Sequence, residues 1–218
     1  MKAFSRTAIV ERLRQDIVSN RFEPGEKLPI LELQDRFGVG LTALHKAFAE
    51  LAADGLVTSE SERGVRAATV SRADLLDLST ARPGIEGLAI RDAIEHSDAD
   101  SDAQIVAAYY KLTHTPMYET SSKKKVLSEV YLRSHREFHD ALASACRSAW
   151  LRRFRSVLFV HAERYQQLFI AYRERNSADE HAAIMQAVLD RDADRAVALL
   201  TSHYNDAARL LLEEHFAE

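Results

Sequence analysis

The chain has 218 residues with 29 Lys/Arg, 33 Asp/Glu and a formal net charge of −4. Its 46% hydrophobic content is ordinary for a soluble globular protein of two small domains or one large one, and no apolar run approaches the roughly 20 residues of a membrane span. A single cysteine, Cys146, excludes an intramolecular disulfide and fits a reducing cytoplasm, and the start, Met1 to Arg6, lacks the apolar stretch of a signal peptide.

Residues 8–19 read as a helix, with Ile9, Leu13 and Ile17 on one face. Pro24-Gly25 marks a turn, and a short helix follows over 30–37. Gly38 supplies the tight turn into a third helix over 41–53, whose Leu44, Ala47, Phe48 and Leu51 form an inward stripe closed by Gly55. Leu56 to Thr58 and Gly64 to Ala67 then read as two short strands about a polar loop, a wing. This order predicts a winged helix-turn-helix over residues 1–70, its third helix presenting Thr42, Ala43, His45 and Lys46 to base edges in the major groove. A small helical domain with a hairpin and no DNA role has the same pattern. Charge does not separate the two, because residues 1–70 hold ten Lys/Arg against ten Asp/Glu and a DNA binder is usually basic.

Ser71 followed by Asp74 is a capping signal that opens the second part, 71–218, where Gly and Pro are scarce and helices are favoured. Six segments are predicted: 72–96 (kinked or split at Pro83-Gly84), 102–113, 122–145, 149–173, 178–190 and 193–215, with turns at 97–101 and 114–118. Lys123 to Lys125 read as a solvated helix face. The fold class is mainly α, a winged head on an all-α bundle of six to seven helices.

The chemistry-bearing pattern is His135-Arg136-Glu137-Phe138-His139. An i, i+4 pair puts both imidazoles on one helix face, where they can share a metal ion. His181 and His203 join them if their helices pack together. With nine histidines in the chain, one such pair also arises without function.

Several runs resemble known families. Pro24 to Leu28, Phe37-Gly38-Val39, Ala47 to Leu51, Gly55-Leu56-Val57 and Arg63-Gly64 resemble the GntR family of bacterial regulators. Where that family usually has Ser-Arg-Thr-Pro-Val-Arg-Glu-Ala-Leu, this chain has Gly40 to Phe48, with Leu41 and His45 at two arginine positions that typically touch DNA. The resemblance leaves Arg36, Thr42, His45, Lys46, Arg63 and Arg66 as DNA contacts. Phe138-His139, Glu180 to Ile184, Asp192 to Ala196 and His203 resemble the FCD effector domain of the FadR branch, whose members hold a divalent metal through three histidines and an aspartate. His139, His181 and His203 map onto the histidines, and His135 stands at the aspartate position. An all-nitrogen set favours Zn²⁺ or Ni²⁺ over Mn²⁺ or Mg²⁺.

The same resemblance places Arg82, and on a later helix Arg164, Tyr165 and Tyr172, at an effector cavity. His135-x-x-Phe138-His139 and Gly38-Val39-Gly40 look most like the carbon-starvation regulator type, which implies a dicarboxylate or hydroxy acid effector. The expectation is a cytoplasmic, homodimeric regulator, repressor or activator, on a palindromic duplex operator, with no membrane partner and no catalysis. A metal-dependent hydrolase or lyase using the same four histidines is the alternative, and a helical adaptor a third.

Overall fold

A computed structural model describes residues 4–60, 64–119, 127–168 and 177–216. The chain forms two compact units, residues 1–71 with 160–168, and residues 72–159 with 169–218.

In the first unit, α1 (Arg6–Val18), α2 (Ile30–Phe37) and α3 (Leu41–Ala53) precede a hairpin of β1 (Val57–Glu60) and β2 (Gly64–Ala67). Helix α1 begins two residues earlier than its apolar period suggests, because the Ser5 hydroxyl accepts from the Ala8 amide and caps it. Two glycines make the turns that position α3. Gly38 takes φ 63° and Gly55 φ 75°. In each case paired bonds finish the preceding helix: Gly38 and Val39 amides to Asp35 and Gln34 carbonyls, Gly55 and Leu56 amides to Ala52 and Leu51 carbonyls. The hairpin is antiparallel, Val57 opposite Ala67 and Glu60 opposite Gly64, and residues 25–28 pair along the outer edge of β2. Ile9, Leu13 and Ile17 of α1 close on Leu44, Phe48 and Leu51 of α3, Leu33 and Phe37 of α2, and Val65 of the hairpin. Val160, near the end of α7, belongs to this same core.

The second unit contains α4 (Arg72–Glu95), α5 (Ala99–Thr113), α6 (Glu129–Leu142), the first half of α7 (Ala149–Leu168), α8 (Ser177–Leu189) and α9 (Ala193–His215). Its core joins Ala89 and Ile90 of α4, Ile105 of α5, Phe138 and Leu142 of α6, Ile184 and Val188 of α8, and Leu200 and Tyr204 of α9.

Three sequence expectations change here. Helix α4 is not split at Pro83 but runs unbroken over 24 residues. A mid-helix proline costs about 3 kcal/mol, and burial of Leu75, Leu78, Ala89, Ile90, Ala93 and Ile94 on the same helix outweighs it. Helix α5 starts at Ala99 rather than 102, because Asp98 and Ser101 form a reciprocal capping box inside the expected turn. Helix α6 starts at Glu129, where the Ser128 hydroxyl accepts from the Tyr131 amide. Residues 120–126, with Lys123 to Lys125, lie outside the described residues.

Two glycine substitutions should move stability in opposite directions. Gly55→Ala places a Cβ at φ 75° and 3.3 Å from His161 Nε2, so a loss of about 1–2 kcal/mol is expected. Gly84 sits within α4 with nothing within 4 Å of an added Cβ, and Gly84→Ala should gain about 0.5–1 kcal/mol. Urea unfolding midpoints of the two variants check both signs.

Candidate metal centre

His135 and His139 project from one face of α6, His181 from the first turns of α8 and His203 from the middle of α9. One nitrogen from each of the four lies within 4.8 Å of the other three. His135 and His139 stand Nε2 to Nε2 at 3.2 Å. Two imidazoles on one tetrahedral zinc, with Zn–N near 2.0–2.1 Å, stand about 3.3 Å apart, so this pair has the separation of neighbouring ligands.

Burial and orientation favour neutral imidazoles. His139, His181 and His203 are buried and His135 is half-buried. Burial, followed by the neighbouring His135, His181 and His203 and then Arg82, holds His139 well below the usual histidine range. In His203 and His139 the second ring nitrogen has a partner that orients the ring. Glu180 Oε2 lies 2.7 Å from His203 Nδ1, and the Tyr204 hydroxyl lies 3.3 Å from His139 Nδ1. A carboxylate on Nδ1 fixes the proton there and leaves Nε2 as the lone-pair nitrogen, the usual support of a metal-binding histidine.

Two arginines flank the cluster in different states. Arg155 of α7 is fully engaged: Nε donates to Glu86 Oε2 at 2.7 Å, Nη1 to Asp140 Oδ1 at 2.6 Å, and Nη2 to the His139 carbonyl. Burial pulls its pKa down, but Glu86, Tyr204 and Asp140 more than offset this and keep it charged. Arg82 of α4 is only 5% exposed. Its guanidinium lies over the Tyr204 ring at 3.7 Å and the Phe159 ring at 5.0 Å. Its nearest acid, Glu86 Oε1, is 3.7 Å from Nε, and neither of these two atoms has a hydrogen-bond partner. A buried guanidinium held by ring faces is an incompletely satisfied cation.

In the first unit the exposed stripe of α3 carries Leu41, Thr42, His45 and Lys46. Arg36, also expected at DNA, donates from Nη1 to buried Asp16 at 2.6 Å. Arg12 and Arg21 also approach Asp16, at 3.9 and 3.3 Å. Arg6 pairs with Glu50 at 3.0 Å and Arg14 with Asp54 at 2.7 Å. Arg66 of the wing donates to the Gly25 carbonyl at 2.9 Å.

Residues 5–66 match the model of the bacterial regulatory proteins of the gntR family, and residues 77–206 match the FCD domain. The chain belongs to the GntR family, in the group that carries an FCD domain. Relatives include the uncharacterized HTH-type transcriptional regulator BphR of Paraburkholderia xenovorans, 35% identical over 90% of this chain and 80% of BphR. The HTH-type transcriptional repressor GlaR of Escherichia coli is 32% identical over 88% of each chain. Among solved structures, E. coli McbR/YncC superposes with TM-score 0.81 at 15% identity, covering 96% of this chain and 98% of its own. A putative GntR regulator from Rhodococcus sp. RHA1 gives 0.74 at 19% identity over 96% and 98%. These two likenesses show the fold alone. The family and the relatives are transcriptional regulators rather than enzymes, which removes the hydrolase and lyase alternative. No described helix of this GntR regulator is long and apolar enough to cross a membrane.

The four histidines read as ligands are together, with Arg82 beside them. Arg164 and Tyr165 belong to the first unit. Arg164 donates to the Ala68 carbonyl, and the Tyr165 hydroxyl exchanges 3.0 Å hydrogen bonds with both the amide and the carbonyl of Ser71. Tyr172 and Arg63 lie outside the described residues. Sequence reasoning missed Arg155 and Tyr204 and gave Glu180 no role. Only Glu180 had a signal, an acid directly before a histidine at a helix start.

Two outcomes are expected. Arg155→Ala should cost about 3–5 kcal/mol in chemical unfolding, because it leaves the Glu86 carboxylate buried and uncompensated. In metal-free protein, the unfolded chain protonates His139 near its ordinary pKa and the folded chain only at lower pH. The unfolded state therefore binds more protons in that window, and stability should fall as pH drops below about 6.5. Urea midpoints between pH 7.5 and 5 should show this decline, reduced in His139→Asn.

Proposed function

We propose that this GntR regulator binds a palindromic duplex operator as a cytoplasmic homodimer, and that a small carboxylate effector controls its grip. In this reading His135, His139, His181 and His203 hold one divalent metal, Zn²⁺ or Ni²⁺ in preference to Mn²⁺ or Mg²⁺, which favour oxygen ligands. The observation that carries the reading is the convergence of four imidazoles within 4.8 Å beside a buried guanidinium without a bidentate partner. The donor set fits the ion: neutral nitrogens, two with acid or phenol support, and no carboxylate among the four. Bound there, the metal supplies a positive centre for one carboxylate oxygen. Arg82 supplies planar donors suited to a carboxylate, so a dicarboxylate or hydroxy acid has an anchor for each end. Arg164 and Tyr165, tied to residues 68–71, hold the chain that leads into α4 rather than the effector. The likeness to GlaR, a repressor, favours repression over activation.

An effector changes DNA binding only through different affinity for the two head arrangements. Elemental analysis should find about one Zn or Ni per chain, lost in His139→Ala and His181→Ala. Calorimetric titration with organic acids should give binding that needs the metal and weakens at least tenfold in Arg82→Ala. Absence of metal, with no uptake on adding Zn²⁺ or Ni²⁺, overturns the sensor. On the DNA side Thr42, His45 and Lys46 are the exposed candidates of α3. Lys46→Ala should weaken binding similarly across sequences and reduce the salt slope by about 1.

A further inference from the structure

The described arginines of residues 4–67 all lie beside an intramolecular acceptor, and three of them converge on the single buried carboxylate of Asp16, while Arg6, Arg12 and Arg21 keep half or more of their side chains in solvent. The exposed stripe of α3 carries Leu41, Thr42, His45 and Lys46 in its first two turns, so it has one lysine and no guanidinium. Leu41 heads it with 47% of its surface exposed, while Leu44, Ala47, Phe48 and Leu51 of the same helix fill the core. A leucine left in solvent at the first position of a reading helix is apolar surface awaiting a partner.

A helix in the major groove presents its N-terminal residues to base edges. The only apolar group on those edges is the C5-methyl of thymine, whereas guanine offers O6 and N7 acceptors that suit Arg or Lys. We propose that Leu41, with the methyl of Thr42 beside it, reads a thymine methyl in each half-site and makes T·A the specified pair there. Lys46, a turn further on, supplies charge to the flanking backbone or a guanine. The head thus specifies sequence at that position by methyl contact. This inference rests on the family-level reading of the head as a DNA binder and is independent of the metal site.

The test begins with selection from a randomised duplex library, using full-length protein both as purified and after metal chelation, alongside Leu41→Ala. Each enriched thymine in the selected duplex is then replaced singly by uracil, which removes the methyl and keeps the base pair. The expected result is one thymine per half-site whose replacement weakens binding about fourfold, the value of one buried methyl group. In Leu41→Ala that thymine is no longer enriched and uracil changes affinity less than twofold, while Leu41→Met retains the preference. Uracil without effect at every thymine, or equal sensitivity in Leu41→Ala, overturns the role of Leu41. Failure of the wild type to select any sequence in either form overturns the head as a sequence reader. Leu41 is half in solvent, so a folding defect does not stand in for either result.

Discussion

The guanidinium of Arg155 joins three helices at one buried point, and the geometry of the histidine cluster follows from it. It grips Glu86 on α4 and Asp140 on α6 from its own place on α7, and it takes the His139 carbonyl. That carbonyl is among the last four of α6, which have no acceptor role left within the helix. One side chain therefore satisfies an orphan carbonyl and fixes the backbone of a candidate ligand. The carboxylate of Glu86 is what allows a cation to be buried there at all, because an unpaired buried charge is costly. His139 then has its backbone fixed by Arg155 and its ring oriented by Tyr204.

Charge distributes unevenly around that point. Glu86 gives one oxygen to Arg155 and leaves the other 3.7 Å from Arg82. Asp140 gives Arg155 a second carboxylate and Glu180 reaches His203, so the acids around the cluster engage arginines and a ring nitrogen, while the four imidazoles themselves add none of the negative charge that an aspartate would bring.

Much of this was legible in the sequence, for identifiable reasons. Local signals carried the head: the apolar period of α3, and Gly38 and Gly55 at the positive-φ turns on either side of it. The histidine pair was legible because i, i+4 spacing has a fixed geometric meaning, whereas His181 and His203 could join it only on condition of helix packing, which family resemblance rather than local pattern supported. What escaped was non-local or side-chain specific. Arg155 meets Glu86 across 69 positions, and nothing near either residue marks the pairing. Arg36 pairs with Asp16, 20 residues earlier, and nothing in the sequence near either marks that pairing. Pro83 signalled a break that tertiary burial overrode, and Ser128 and Asp98 capped helices inside stretches that composition marked as helix interior or turn.

Helix α7 has a consequence for the order in which the protein comes into being. The core of the first unit includes Val160, and His161, Arg164 and Tyr165 bond to residues 54, 68 and 71. On the ribosome, where N-terminal domains usually fold first, residues 1–71 emerge well before these partners exist. At about 5–20 residues per second, nearly a hundred further residues take roughly 5–20 s to make. During that interval the nascent head lacks the last part of its own core. A regulator built this way cannot finish its DNA-reading unit until α4 to α6 of the second unit have already been synthesised.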